Sequence, residues 1–332
     1  MGRATIKTDL MRIIPSIALA LTIGVGTVAL PVKGYAADEV TTMPRQAPGF
    51  YKWTLGNFAI TSLSDGTFDL PVDQLLIGPE PGEVAAAFEL AFAKLPMEMS
   101  VNAFLIDTGA QLILVDAGGG SLYGPTLGQT QQNLIAAGYQ PDQVDLVLLT
   151  HIHGDHSGGL SIEGKPAYPN AKVWVGQGDI DFFTDPDKKE AAAGLDELNF
   201  SAAQSLLSAY QEAGQLVAFS GEREIVPGVR ALPAIGHSTG HTVYAIESEG
   251  ESLVLLGDLL HVPQVQFAHP EYSMVFDLDQ DEAAAVRKTV LDGASGKRQW
   301  IAGAHFSFPG IGHLLAKGDG FTYVPAEYSA NR

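Results

Sequence analysis

The chain has 332 residues, with 38 acidic against 19 basic side chains, a formal charge of −19 and no cysteine. So acidic a body repels phosphate backbones and anionic membrane surfaces, which excludes nucleic acid as the natural partner. Without cysteine there is no disulfide framework and no thiolate ligand, so any bound metal must be held by nitrogen and oxygen.

Taken in chain order, Arg3, Lys7 and Arg12 precede an apolar stretch from Ile13 to about Val32, and Gly34-Tyr35-Ala36 ends in small residues. This is the pattern of an export signal over residues 1–36 and predicts a periplasmic or secreted protein. The apolar stretch is also long enough to act as a retained anchor. Removing residues 1–36 takes away four basic and one acidic side chain, which moves the formal charge from −19 to −22. Residues 37–50 are polar and contain proline, and read as a flexible lead-in. Residues 51–332 read as one folded domain, well within the size a single core can support.

Tyr51–Leu55 and Phe58–Ser62 flank Gly56-Asn57, a two-residue hairpin signal. Ser64–Thr67 reads as a turn and the Ala-rich Gly82–Lys94 as a helix. Strands are predicted over Val101–Ile106 and Leu112–Val115, running into the glycine-rich loop Asp116–Gly120. A helix over Leu127–Ala137 stops at Gly138, and a strand over Val144–Thr150 follows. Lys172–Val175 is a strand and Ser201–Ala213 a helix. Val229–Ala234 leads to Gly236-His237 and on to His241. Thr242–Ile246 and Ser252–Leu256 form a hairpin ending at Gly257-Asp258, Gln280–Leu291 is a helix, and Trp300–Ala304 delivers His305. Hairpin, helix and strand thus recur in both halves, as in two αβ layers packed sheet to sheet with helices outside.

The segment His151-Ile152-His153-Gly154-Asp155-His156 packs three imidazoles and a carboxylate into six residues. These are ligands preferred by borderline divalent metals. Four cannot all serve one tetrahedral ion with an open position, so they read as parts of two adjacent sites. Alternate residues of an extended segment point the same way, so His151 and His153 can pinch one ion, and the turn at Gly154 swings Asp155 and His156 toward another. His237, Asp258 and His305 sit where apolar strands end and supply the number of ligands that two sites lack. The plainer reading, histidines satisfied separately in a core or loop, leaves several buried polar groups needing partners.

The string Thr150–His156 followed by Gly236-His237, Gly257-Asp258 and His305 resembles the metallo-β-lactamase superfamily over roughly residues 50–325. More closely, Ser64–Thr67, Gly124–Gly128, Ala137–Pro141, Phe219–Gly221 and Ser307–His313 resemble the methyl parathion hydrolase group of organophosphorus hydrolases, lactonases and aryl esterases. The resemblance implies an α+β fold, a four-layer αββα sandwich with a dinuclear site at the sheet edge. It places His151, His153 and His237 on one metal, Asp155, His156 and His305 on the other, and Asp258 between them. Asp116 and His241 would order ligands or loops without binding metal, and so would His313.

Two divalent ions, zinc first and manganese, cobalt or iron as alternatives, would activate a shared water and polarise a carbonyl or phosphoryl oxygen. Asp258, or else Asp155, could carry the proton. Lactones, aryl esters and phosphotriesters with phenolate leaving groups suit such a site. The resemblance puts the segments that carry Tyr123, Phe183, Phe200 and Phe267 near the metal mouth, which makes these four candidate pocket residues. His261 is expected to face the pocket, and a polar residue there favours lactone or aryl ester over phosphotriester. The alternatives are an N-acyl homoserine lactonase and a non-catalytic periplasmic metal-binding protein. Members of the resembling group are commonly homodimers.

Overall fold

The computed structural model describes residues 46–191 and 195–329. The predicted export signal (1–36) and residues 37–45 of the lead-in lie outside the described residues. No helix among the described residues is long and apolar enough to cross a membrane.

Two seven-stranded sheets carry the structure, and in each the strand order follows the chain. The first contains β1 (Phe50–Leu55), β2 (Phe58–Leu70), β3 (Met97–Asp107), β4 (Leu112–Val115), β5 (Leu146–Leu148), β6 (Lys172–Gly176) and β7 (Leu216–Phe219). The second contains β8 (Arg223–Val226), β9 (Val229–Pro233), β10 (Thr242–Ser248), β11 (Glu251–Leu255), β12 (Trp300–Ala302), β13 (Ile311–Lys317) and β14 (Gly320–Pro325). β1 to β4 pair antiparallel, as hairpins must, and β4 to β7 pair parallel across helical crossovers. In the second sheet only β11 and β12 pair parallel. Their crossover is the long helix Gln280–Gly296, capped by the Asp279 side chain accepting from Glu282 N.

The apolar runs are nearly continuous because both faces of each sheet are covered. Phe104, Ile106, Leu146 and Leu148 point between the sheets, against Tyr244, Ile246, Leu253 and Leu255. Their alternates Leu105 and Val147 point outward, under Leu134 of helix Thr130–Ala136 and Leu206 and Tyr210 of helix Leu195–Glu212. Val254 and Ile301 likewise face Leu291 and Ala294 of helix Gln280–Gly296. Helix, sheet, sheet, helix is the resulting layering. A smaller cluster joins Leu70, Phe88, Met97 and Met99 to Val262, Val265 and Met274 and walls one side of the site.

Several boundaries differ from the sequence-based expectation. Ser64–Thr67 is not a turn but a bulge inside the 13-residue β2, where the register to β3 shifts between Ser64 and Gly66. Gly66 sits at φ +132°, and a Cβ there would lie 1.9 Å from Thr126 O, so glycine is required by close approach as well as by backbone. The helix predicted over Ser201–Ala213 begins at Leu195, because Asp196, Glu197 and Asn199 extend it with residues that carry no apolar spacing. The hairpin Ile311–Lys317 with Gly320–Pro325 closes the second sheet after the last predicted strand.

Candidate metal centre

The donors arrive at one edge of the sandwich, beyond the ends of strands. β5 leads through Leu149-Thr150 into His151. β11 leads through Leu256-Gly257 into Asp258, and β12 through Gly303-Ala304 into His305, while His237 lies on the loop between β9 and β10. His153 is extended, and Gly154–Ser157 forms one helical turn, so Asp155 and His156 turn away from the direction of His151 and His153. Gly257 is at φ +53°, and a Cβ there would meet His241 Nε2 at 2.7 Å and Thr150 Cβ at 2.8 Å. That close approach sets Asp258 against the histidines.

Two groups of four donors result: His151, His153, His237 and Asp258, and Asp155, His156, Asp258 and His305, with donor atoms within 4.8 Å of one another in each. In the first group His237 Nε2 lies 3.2 Å from His151 Nε2 and 3.0 Å from His153 Nδ1. Tetrahedral ligation at about 2.05 Å places donors about 3.3 Å apart, so the spacing is that of ligands around an ion. Asp258 divides its oxygens. Oδ2 faces the first group, 3.3 Å from His237 Nε2 and 3.6 Å from His151 Nε2. Oδ1 faces the second, 3.0 Å from His156 Nε2 and 3.2 Å from His305 Nε2. Those three second-group atoms are buried yet make no aligned hydrogen bond. Buried polar atoms without partners are costly, and a cation between them would satisfy all three at once. The residues therefore fit a pair of divalent ions sharing Asp258.

The far sides of the rings are fixed. His156 Nδ1 lies 2.8 Å from Asp116 Oδ2, His237 Nδ1 2.8 Å from Asp277 Oδ1, and His305 Nδ1 donates to Ser100 O at 2.9 Å. Such contacts hold the Nδ1–H tautomer and present the Nε2 lone pair to a metal. Asp116, at φ +60°, also accepts from Thr150 N and Oγ1. His241 donates from Nδ1 to Ala234 O and accepts Asp258 N–H at Nε2, so it supports the bridging residue from behind. Burial first, and then the neighbouring His237, push its pKa down to about 3, which keeps it neutral in that role. His313 donates to Gln299 O, away from the site.

The electrostatics favour cations. Burial, then adjacent imidazoles, push His151 and His153 well below the ordinary imidazole value, leaving both neutral and able to ligate. Burial works to raise the Asp258 carboxyl, but His156, His305, His261 and His151 outweigh it and hold it well below the usual range. At His237 burial is likewise overcome, and contacts to Asp258 and Asp277 lift its pKa to about 9. The carboxylates thus draw positive charge into the positions a metal would fill.

Above the donors is a narrow cleft of about 70 Å³ walled by Phe68, Leu70, Met99, Tyr123 and Phe276. A wider groove of about 580 Å³ adjoins it past His153 and His237, lined by Leu75, Phe182, Phe183, Val275, Phe276 and Leu278. Tyr123 stacks on Phe68 and donates to Asn199 Oδ1 at 3.2 Å. Burial, then Asp155 and Asp258, raise its pKa, so it stays a neutral phenol facing the site. Phe183 lies edge-on to His153. His261 faces the cleft with Nε2 3.0 Å from Asp258 Oδ2 and its ring stacked on His305.

Two pocket candidates are corrected by the structure. Phe267 ends the short helix Pro263–Gln266 and packs on Phe306 and Tyr323 in the core beneath helix Gln280–Gly296, away from the cleft. Phe200 lies behind Phe182 and Phe183 in the first outer core and supports the wall without forming it. Sequence reasoning missed Asp277, Asn199 and Asp179. Asn199 accepts from Gly154 N, and Asp179 accepts from Ile152 N and Gly240 N, so both brace the ligand loops. None sits in a local pattern that would single it out.

The sandwich with donors for two ions at its edge agrees with the family comparison. The metallo-beta-lactamase superfamily model matches residues 97–305, and the chain belongs to that superfamily. An N-acyl homoserine lactonase from Bacillus thuringiensis is 29% identical over 119 residues, 36% of this chain and 39% of that protein. The chain thus aligns with well under half the length of that relative. Among solved structures, the hydrolase AbOPH is 31% identical with a TM-score of 0.81, covering 86% of this chain and 100% of AbOPH. AidC, a dizinc quorum-quenching lactonase solved with a product, is 25% identical with a TM-score of 0.78, covering 85% and 98%.

Proposed function

We propose that this protein is an exported metal-dependent hydrolase that opens lactones and cleaves aryl esters, with phosphotriesters as weaker substrates. The observation that carries the reading is Asp258, one carboxylate shared by two convergent donor groups at the floor of a largely apolar cleft. Bound there, two divalent ions supply a water of lowered pKa and polarisation of the scissile C=O or P=O. Zinc suits the mixed imidazole and carboxylate donors.

The chain's own residues do the rest. His151, His153 and His237 would hold one ion and Asp155, His156 and His305 the other, with Asp258 common to both donor groups. The half-buried Asp155 lines the cleft and is placed to accept a proton, whereas both oxygens of Asp258 are turned to the donor groups. Phe68, Met99 and Phe276 exclude bulk water from the reacting centre and seat an apolar ring. Tyr123 offers a neutral hydroxyl at the cleft wall. Phenolate leaving groups, including the tethered phenolate released when an aryl lactone opens, need little acid assistance, which matches a cleft lined by no carboxyl group other than Asp155 and Asp258 among the described residues. The basic and apolar start of the chain supports export.

A second reading is favoured by the adjoining groove, whose apolar lining from Leu75 to Leu278 could accept an extended acyl chain. On that reading the substrate is an N-acyl homoserine lactone. A panel on metal-replete protein ranks dihydrocoumarin, phenyl acetate, paraoxon and short- and long-chain homoserine lactones by kcat/KM. The proposal expects dihydrocoumarin or phenyl acetate first and an Asp258→Ala loss of at least about 100-fold, beyond the 10–100-fold typical of outer contacts. Two bound ions with no cleavage of any activated ester would instead indicate a metal store.

A further inference from the structure

Helix Gln280–Gly296 buries an arginine completely, and nothing in the proposed chemistry uses it. Arg287 Nη1 donates to Pro270 O at 2.8 Å and Tyr272 O at 2.6 Å, and Nε donates to Leu259 O, the residue after Asp258. Nη2 reaches Asp277 Oδ2 at 3.4 Å, in an ion pair sealed from solvent on both sides. Asp277 takes Met274 N on the same oxygen and holds His237 Nδ1 with the other. The backbone beside Asp277 is also pinned to the histidine loop, with Leu278 N donating to His237 O and Asp279 N to Gly236 O.

A buried cation is expensive unless it is paired and hydrogen-bonded. This one ties down two segments: the first carries Asp277, which supports His237 of the first group alone, and the second carries Asp258, which both groups share. The histidines of the second group rest instead on Asp116 and Ser100, so the line through Asp277 reaches a histidine of the first group only. The geometry points to Arg287 as a positioning residue that, through Asp277, sets the orientation of His237 and hence the affinity of the first metal position relative to the second. This rests on the dinuclear reading above.

The test counts ions per chain by elemental analysis while a chelator is titrated into metal-loaded protein. Arg287→Lys keeps the charge and loses the planar fork, and Asp277→Asn keeps the volume and must lose one of its two links. In either variant one ion should leave at a chelator concentration about 10–100-fold lower than in the wild type, the size of effect known for outer contacts, with the other unchanged. X-ray absorption of the ion left behind should report two imidazoles, not three. Combining the substitutions should add little, since both break one line. Should Arg287→Lys fail to fold, Asp277→Asn alone carries the test. Ions leaving in parallel, or retention like the wild type in both variants, would overturn the role of Arg287 while leaving the two-ion site standing. A wild-type chain that holds fewer than two ions overturns the dinuclear reading, and this inference with it.

Discussion

His261 is the residue whose identity bears most directly on substrate preference. Its ring lies between Phe276 and His305, and its Nε2 takes one edge of the bridging carboxylate while Nδ1 is buried without a partner. A polar face there suits a substrate that offers a hydrogen-bonding ring oxygen or carbonyl. Replacing it with methionine should raise paraoxon turnover relative to dihydrocoumarin turnover by about 10-fold, the order expected for an exchanged buried contact of 1–2 kcal/mol. Paired kcat/KM values with an unchanged ratio would reject the role. Such ligand-level detail was partly legible in the sequence. The six-residue string from His151 and the polar residues at apolar strand ends name the seven donors, because metal ligation restricts residue type and places it where strands stop. Asp277 and Arg287 left no such trace. They act through contacts between a loop and a helix far from the donor string, and an acidic or basic residue near a helix reads as surface until the fold shows it buried.

Elements were legible where both faces of a strand are apolar and lost where a side chain overrides the local pattern. Asp65 is the plainest case. From within β2 its carboxylate accepts Gly119 N, Gly128 N, Thr130 N and Thr130 Oγ1, at 2.6 to 3.0 Å, while fully buried. The turn-like sequence around it is therefore a bulge that aims a carboxylate at two glycine-rich loops and at the start of helix Thr130–Ala136. That helix begins at Thr130 and not at Leu127 for the same reason. Asp65→Ala leaves several buried donors unpaired, each costing about 1–3 kcal/mol, and should lower stability by about 3 kcal/mol or more in urea titrations followed by circular dichroism. A loss below about 1 kcal/mol would mean water replaces the carboxylate without penalty.

At the scale of the whole molecule, the ions should contribute to stability as well as to chemistry. A ligand that binds only the folded chain stabilises it by about 4 kcal/mol when present at a thousand times its Kd. Exhaustive chelation should therefore lower the melting temperature by several degrees, with recovery on adding zinc. An identical melting curve for stripped and loaded protein would show that the carboxylates and imidazoles are satisfied without a cation. The recurrence of hairpin, helix and strand in both halves made the four layers legible in advance. The closing hairpin of β13 and β14 was not, since Ile311–Pro325 mixes glycine, lysine and exposed apolar residues on an edge.

That both sheets keep strict chain order has a consequence for how the halves belong together. Every strand of the first large sheet precedes Ser220 and every strand of the second follows Glu222, so the chain passes between the two large sheets once, at the exposed turn Ser220-Gly221-Glu222. His151, His153, Asp155 and His156 come from the first part, and His237, Asp258 and His305 from the second, so neither half alone owns a complete site. Cutting the polypeptide at that turn would leave two fragments with complementary apolar faces and complementary sets of ligands. The ions would then act as rivets between separate molecules, and reassembly of the fragments would depend on metal.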